Sequence, residues 1–377
     1  MGGDTPPIFD WFDFMKKTFS LFFISLVSCS AIATQLEKPQ FIMLTMDDGV
    51  NSLMEDSIAL IEHNVPWTFY VNVVQQPGGW NYDEALLDIE CTTEDGTSTG
   101  NPACVSDPVS IKNLYEKGNE IALHTYSHAG IGMTGTPLTA YQVEREIGLN
   151  YEFFLKAGVE PKDIRGFRAP FLATMASGGW DKEAKNEQLR NLQVAFNQYS
   201  IDYDSTFSSD INKATPIKGA RHCSPLDANW EVVSCGLEDE YFNYPESQGG
   251  YPDYTNASYP YSNHLFMAKK YANGSETQLM DTAFSQCSGN CTPEDAKAIW
   301  MENFELHYYS ESRAPYGIFL HRQSLMNQAE VEGLNQFIAT IQSSYPNTYF
   351  ATASQIHDYY ELGLTLAPEQ IKKFLSK

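Results

Sequence analysis

The stretch "FIMLTMDDGVN", residues 41–51, is an apolar run that ends on two adjacent aspartates and a glycine. A run with almost no charge predicts a strand that is buried on both faces, as in a parallel sheet. Asp47 and Asp48 then place two repelling carboxylates at the C-terminal end of that strand. A lone Asp-Asp-Gly triplet is more often a turn than a site, so other strand ends must decide between the two.

The apolar run is the first of seven strand-like segments. The other six are "WTFYVNV" (67–73), "EIALH" (120–124), "IRGFRAP" (164–170), "YSIDYDS" (199–205), "YGIFLH" (316–321) and "TYFATAS" (348–354). In three other segments the apolar residues are spaced three and four positions apart, which predicts helices. These segments are "SLMEDSIALIEH" (52–63), "PLTAYQVEREIGLNYEFFLKAG" (137–158) and "PEDAKAIWMENFELHYYSES" (293–312). Gly158 followed by Pro161 predicts the end of the second helix. This alternation predicts an α/β fold with a parallel sheet, either a barrel or a doubly wound sheet.

Two segments interrupt the alternation. Residues 75–105 and 207–290 are rich in Gly, Pro, Ser, Asn and Tyr, and we interpret them as insertions with little core of their own. The cysteines beyond Cys29 fall into three sequence-local pairs, Cys91 with Cys104, Cys223 with Cys235 and Cys287 with Cys291. Their spacing is not that of a zinc ribbon, so we expect three disulfides that staple the insertions.

The N-terminal residues predict export from the cell. Residues 15–33 combine two lysines, an apolar run and a small-residue motif, which is typical of a secretory signal peptide. We treat residues 1–14 as a doubtful upstream segment and residues 34–377 as the secreted, extracellular protein. Three glycosylation sequons, at Asn256, Asn273 and Asn290, fit this setting. No other apolar stretch approaches the 20 or so residues of a membrane span, so no membrane association is expected once the signal is removed.

The charge of the chain excludes one class of partner. Against 24 basic residues stand 48 acidic ones, which gives a formal net charge of -24. Such a chain repels phosphate backbones and anionic lipid surfaces, so we expect no nucleic-acid partner. The hydrophobic fraction of 42% is sufficient for a full core. We expect a monomer.

Two further strand ends carry histidines, since His124 and His128 follow the third predicted strand and His321 ends the sixth. "HTYSH" places His124 and His128 four positions apart after the third strand, where both imidazoles can converge with a carboxylate from Asp48. Two histidines and one carboxylate leave a fourth position for water, as in catalytic zinc sites. Zinc is the default metal, with Co²⁺ and Mn²⁺ as alternatives. Because successive residues point to opposite sides, Asp47 is then available as a general base toward that water.

The motifs in their order resemble those of the polysaccharide deacetylase (NodB-homology) family. The resemblance rests on "LTMDDGVN", "HTYSH", "RGFRAPFL", "YDST" and "LH", and it extends over nearly all of residues 34–377. The later segments "ARHCSPL", "NWEVV" and "NFELHYYSESRAPYGIFLH" look most like animal chitin deacetylases. The resemblance implies a distorted (β/α)7-type barrel with disulfide-stapled insertions, and one catalytic domain over residues 34–377.

Roles follow from the resemblance position by position. It implies that Asp48, His124 and His128 bind the metal and that Asp47 is the general base. It further implies that Arg168 holds Asp47 ionised, that the backbone N–H of Phe171 stabilises the oxyanion, and that His321 is the general acid. For Asp204 in "YDST" the resemblance leaves two roles open, support of the site and an ordinary buried turn residue.

The resemblance implies a secreted hydrolase that removes N-acetyl groups from N-acetylglucosamine units of chitin or chitin oligomers. Two alternatives stay open: action on another glycan, such as acetylxylan or peptidoglycan, and a catalytically silent glycan-binding protein. The sequence departs from the animal enzymes at Gly49, where alanine is frequent, and after His321, where "RQSLM" lacks a tryptophan. The missing tryptophan would alter one wall of the sugar subsite.

Overall fold

A computed structural model describes residues 38–75, 82–131, 134–172, 182–206, 290–309, 315–362 and 366–376, with short pieces between 208 and 313. The predicted signal peptide, residues 15–33, and the upstream residues 1–14 lie outside this description, as does most of the predicted insertion 207–290. In the described part, no helix is long and apolar enough to span a membrane.

Seven strands form one parallel sheet, and each corresponds to a predicted strand. They are β1 (Gln40–Asp47), β2 (Trp67–Val71), β3 (Glu120–Leu123), β4 (Gly166–Phe167), β5 (Tyr203–Asp204), β6 (Tyr316–His321) and β7 (Thr348–Phe350). The order is β6-β1-β2-β3-β4-β5, and β7 pairs with the N-terminal end of β1. Among the described strands β5 and β6 do not pair with each other, so the curled sheet is an open half-barrel. The predicted α/β barrel-like class is confirmed.

Nine helices accompany the sheet within the described residues. They are α1 (Ser52–Ala59), α2 (Pro108–Glu116), α3 (Ala140–Ala157), α4 (Lys182–Tyr199), α5 (Pro293–Tyr308), α6 (Arg322–Leu325), α7 (Gln328–Ser344), α8 (Ala353–Glu361) and α9 (Pro368–Leu375). Short 3-10 turns occur at Glu84–Asp88, Pro161–Asp163 and Pro170–Leu172. α3 begins with a capping box at Thr139 and ends at Gly158, whose φ of 95° is the left-handed conformation predicted for that stop.

Strand β1 is buried along its whole length because both of its faces are covered. Ile42, Leu44 and Met46 belong to the larger core cluster, which also includes residues of helices α1 to α5 and α7. Phe41 and Met43 point the other way, into a smaller cluster that is closed by α8 and α9. The alternation places Asp47 on the same inner face as Phe41 and Met43.

The predicted insertion 75–105 packs against the first strand end. Cys91 and Cys104 form a disulfide, as predicted for the first pair. Val105, at the end of the insertion, accepts a hydrogen bond from the Asn51 side chain at 3.2 Å. Cys291 is also disulfide-bonded, whereas Cys223, Cys235 and Cys287 lie outside the described residues.

Outside the main sheet, short strands occur within the second predicted insertion. Ser208–Asp210 pairs with Met267–Lys269, and Tyr271–Ala272 pairs with Ser275–Glu276.

Candidate metal centre

The C-terminal edge of the sheet brings separate motifs together. Asp47, the last residue of β1, pairs in register with Tyr70 of β2 and with His321 of β6. In a parallel sheet, residues in register on neighbouring strands present their side chains on the same face. His124 follows β3 directly, one position beyond Leu123. Residues from three motifs that are far apart in the chain therefore meet at one edge.

Asp48 leaves the strand through a left-handed turn. Its φ is 82°, and its backbone N–H donates to the carbonyl of Tyr70 at 3.1 Å. The carboxylate oxygen Oδ1 lies 3.0 Å from Nε2 of His128 and 3.8 Å from Nε2 of His124. One ligand atom from each of the three residues lies within 4.8 Å of the others. The structure thus brings the predicted ligand set together.

The tautomer of His124 is set by a hydrogen bond. The ring is 2% exposed, and its Nδ1 lies 2.7 Å from the carbonyl oxygen of Arg168. A carbonyl only accepts, so Nδ1 carries the proton and Nε2 keeps its lone pair toward Asp48. Burial lowers the pKa of His124 to about 4, so the ring is neutral at pH 7. A neutral imidazole with a directed lone pair is ready to bind a metal.

The donor set fits a divalent cation. The buried Oδ1 of Asp48 accepts no hydrogen bond from the described residues, although two imidazole nitrogens surround it. Burial alone would raise the pKa of Asp48, but His128, His124 and His321 hold that pKa well below its usual range. An anionic oxygen that faces a nitrogen lone pair is stabilised when a cation lies between them. Two imidazoles and one carboxylate suit Zn²⁺ and related metals.

Asp47 lies beside this set in a buried ion pair. Nη1 of Arg168 donates to Oδ1 of Asp47 at 2.6 Å and to the hydroxyl of Thr45 at 2.8 Å, and its Nε donates to Ser205 at 3.0 Å. Arg168 is 0% exposed. Its guanidinium also stacks between two aromatic rings, 3.9 Å from the centroid of Tyr70 and 4.4 Å from that of Phe319. Charge-assisted bonds and stacking fix the arginine and hold Asp47 in one orientation.

His321 reaches the same site from β6. Its Nε2 lies 3.9 Å from Oδ2 of Asp48, and its Nδ1 lies 2.6 Å from Oδ2 of Asp281. Burial lowers the pKa of His321, but the bond to Asp281 and the charges of Asp48, Asp281 and Asp47 outweigh burial and raise the pKa to about 9. The imidazole is therefore protonated at neutral pH, which is the state a general acid needs.

The remaining candidates lie on the loops after β4 and β5. Phe171 has a left-handed φ of 59°, and its ring packs edge-on against His128 with centroids 4.9 Å apart. Asp204 is buried and accepts from the backbone N–H and the hydroxyl of Thr206. Thr206 in turn accepts from the N–H of Ala169 at 2.8 Å. Asp204 therefore supports the loop that follows Arg168.

Three residues of the site were not identified in the sequence. Asp281 binds His321 and also accepts from Gln323 at 3.1 Å. Glu146 and Asn150, on α3, bind the backbone of the "HTYSH" loop. A signal for the last two was available, because they are polar residues four positions apart on an otherwise apolar helix face. Asp281 lies in a Gly-, Ser- and Tyr-rich segment whose pattern marks no single residue.

Comparison with known sequence families finds a match for one part of the chain. A sequence model of the family described as polysaccharide deacetylase matches residues 35–191. That range contains every predicted site residue except Asp204 and His321. No curated protein matches the chain significantly.

Several solved structures resemble the chain in fold. A carbohydrate esterase domain of a multidomain xylanase from the Trinervitermes trinervoides hindgut metagenome is 14% identical, with a TM-score of 0.37 over 88% of this chain and 94% of that one. A family 4 acetyl xylan esterase from Clostridium thermocellum, in complex with cobalt, is 15% identical, with a TM-score of 0.41 over 88% and 96%. The catalytic domain of a peptidoglycan N-acetylglucosamine deacetylase from Eubacterium rectale is 12% identical, with a TM-score of 0.38 over 86% and 94%.

Proposed function

We propose that the chain is a polysaccharide deacetylase, a secreted, zinc-dependent hydrolase acting on N-acetylglucosamine units of chitin or chitin oligomers; the match of residues 35–191 to the model of that family supports this proposal. The reaction is hydrolysis of the acetamide, which releases acetate and leaves a free amine on the sugar. The observation that carries this proposal is the convergence of Asp48, His124 and His128 next to the Asp47–Arg168 ion pair. The choice of chitin rests on the likeness of the later segments to animal chitin deacetylases.

The residues of the chain divide the proton transfers between them. A divalent cation held by Asp48, His124 and His128 would lower the pKa of a water and polarise the acetyl carbonyl. Asp47 accepts the proton of the attacking water, and the contact with Arg168 keeps Asp47 oriented for this step. The N–H of Phe171 donates to the oxygen that gains negative charge. His321, protonated and held by Asp281, gives its proton to the departing amine.

Acetate release tests the proposed substrate. Purified protein loaded with Zn²⁺ is incubated with N-acetylglucosamine oligomers, acetylxylan and peptidoglycan, and acetate is measured. We expect release from the N-acetylglucosamine oligomers. Release from acetylxylan or peptidoglycan alone would identify that glycan, and not chitin, as the substrate, because the same metal ligands can serve each reaction. No release from any of the three would favour the catalytically silent glycan-binding protein.

Asp47→Asn tests the proposed general base. The amide keeps the size of the side chain but loses the proton acceptor, so we expect acetate release to fall by about 100-fold or more while Zn²⁺ still binds. Zinc content of the variant is the matched measurement. A variant that keeps its metal and hydrolyses at the wild-type rate would exclude Asp47 as the base.

A further inference from the structure

The "HTYSH" loop adopts a backbone that its residues do not favour. Thr125 and His128 have φ values of 60° and 56°, in the left-handed region. For residues with a side chain, this conformation is strained and persists only when neighbouring groups enforce it. The loop carries two of the three predicted metal ligands, so whatever enforces its shape also sets the distance between them.

Helix α3 enforces this shape through two residues one turn apart. Asn150 accepts from the N–H of His124 at 3.0 Å, and the backbone carbonyl of Glu146 accepts from the N–H of Tyr126 at 3.0 Å. The Glu146 carboxylate takes both donors of Ser127, accepting from the N–H at 2.9 Å and from the hydroxyl. Three of the four N–H groups from His124 to Ser127 are therefore bound by a single helix.

The carboxylate of Glu146 is fully buried, with 0% of the residue exposed, which is unusual for a charged side chain. Burial raises the pKa of Glu146, and the bonds from Ser127 counteract that effect. An isolated buried carboxylate destabilises a fold. The two converging donors of Ser127 compensate for it, since one carboxylate can accept from both at once.

We propose that Glu146 is a positioning residue for the metal centre, whose bonds to Ser127 hold His124 and His128 converged before a cation binds. The inference rests on the proposed metal-dependent function. Without the anchor, Thr125 and His128 relax toward ordinary backbone conformations, and the cation must then order the loop as it binds. The affinity for the metal falls by that ordering cost.

Zinc affinity in solution tests the inference. The full-length protein and its variants are stripped of metal, and the Kd for Zn²⁺ is measured by competition with a chromogenic chelator. We expect Glu146→Ala to weaken Zn²⁺ binding by about 10- to 100-fold, which is the range for residues that orient metal ligands. Glu146→Gln should retain most of the affinity, because its amide can accept from the N–H and donate to the hydroxyl of Ser127.

The matched control removes a different buried carboxylate. Glu120 lies at the other end of the sheet, where it accepts from Tyr203, Thr68 and the N–H of Ser354. Glu120→Ala should lower the unfolding temperature but leave the Kd for Zn²⁺ unchanged. A Glu146→Ala protein that melts lower yet binds Zn²⁺ like the wild type would reduce Glu146 to a structural role and overturn the inference.

A smaller change covers the case in which Glu146→Ala does not fold. Ser127→Ala removes only the hydroxyl and keeps the N–H bond to Glu146, so we expect a severalfold weaker Kd. An unchanged Kd would contradict the inference. A wild-type protein that binds no Zn²⁺ would instead contradict the proposed function, so the two failures are distinguishable.

Discussion

Asp47 and Asp48 are neighbours in the chain but belong to different parts of the site. The alternation of β1 places Asp47 on the inner face with Phe41 and Met43, where Arg168 neutralises it. A left-handed turn then directs Asp48 toward the imidazoles. The sequence predicted this division because period two is a property of any strand. It did not predict the burial of Arg168, which depends on tertiary packing.

Gly49 is required by the insertion that packs against it. A Cβ at this position would lie 2.7 Å from both Cβ and the carbonyl oxygen of Val105. We therefore expect Gly49→Ala to lower the free energy of unfolding by about 1–3 kcal/mol, the usual cost of overpacking. Urea unfolding measures this. Gly135→Ala is the control, because its added Cβ would meet nothing within 4 Å; equal losses in both variants would contradict the steric explanation.

The bond from Asp281 to His321 predicts a pH effect. A charge-assisted hydrogen bond favours the protonated imidazole, so Asp281→Asn should lower the pKa of His321. A general acid is active below its pKa, so the alkaline limb of the pH–rate profile should move to lower pH by about one to two pH units. Acetate release measured from pH 5 to 10 follows the limb. An unmoved limb with reduced activity throughout would mean that Asp281 does not tune the acid.

Helix α8 covers the half-barrel at the N-terminal ends of its strands, and a network of charged side chains holds the helix there. Both Nη atoms of Arg165, just before β4, donate to Asp358 on α8, and its Nε donates to Asp202, just before β5. The first N–H groups of the helix are also bound, since Ala353 donates to Thr68 at 2.9 Å. These contacts join the helix to the strands of the open sheet.

The network predicts how the fold responds to acid. Burial alone would raise the pKa of Asp358, but Arg165 and His357 hold that pKa well below its usual range. Its stabilising effect is therefore present above the unfolded-state pKa of about 3.9 and is lost as the pH falls below that value. Asp358→Asn should lower the unfolding temperature at pH 7, and its difference from the wild type should shrink steadily as the pH falls below about 3.9 toward the lower folded-state pKa.

The exposed pair of Glu369 with Lys372 supplies the control for this prediction. Glu369→Gln should change the unfolding temperature little over the same pH range, because exposed ion pairs contribute little. A difference in unfolding temperature between wild type and Asp358→Asn that stays constant from pH 7 to pH 2 would mean that the packing of the Asp358 side chain, and not its charge, holds the helix.

At the level of elements, the strands were predictable and their lengths were not. All seven predicted segments form strands, because their apolar, β-branched and aromatic residues pack into the core of the sheet. "IRGFRAP" and "YSIDYDS" nevertheless form ladders of only two residues, Gly166–Phe167 and Tyr203–Asp204. Arg168 and Ser205 follow these ladders at once and bond to each other across the interior. Each ladder ends where the chain leaves the strand to place a side chain in the site, and strand propensity carries no information about that position.

For the whole molecule, alternation of strands and helices left a barrel and a doubly wound sheet open. The distinction depends on whether the sheet curls, and curling is decided by inner-face packing between residues far apart in the chain. The inner cluster joins Phe41 of the first strand to Tyr359 and Tyr360 of α8, with ring centroids 4.9 and 6.0 Å apart. Such contacts leave no periodic trace in the sequence.

Metal binding should stabilise the whole fold, because the ligands converge only in the folded state. At a free Zn²⁺ concentration 100-fold above the Kd, the expected stabilisation is about 2.7 kcal/mol. Differential scanning fluorimetry with Zn²⁺ and after chelation measures it as a rise in unfolding temperature. His128→Ala should abolish most of the rise, whereas an equal rise in that variant would indicate zinc on the many surface carboxylates.

The two rings that enclose Arg168 also determine how the proposed acid and base move. Phe319, one of those rings, and His321 are two residues apart on β6 and share a face. Tyr70, the other ring, pairs in register with Asp47. The proposed proton acceptor, Asp47, and the proposed proton donor, His321, therefore lie on adjacent hydrogen-bonded strands, so the distance between them is fixed. A substrate must fit this fixed distance, and only the surrounding loops can adjust their conformation to substrates of different shape.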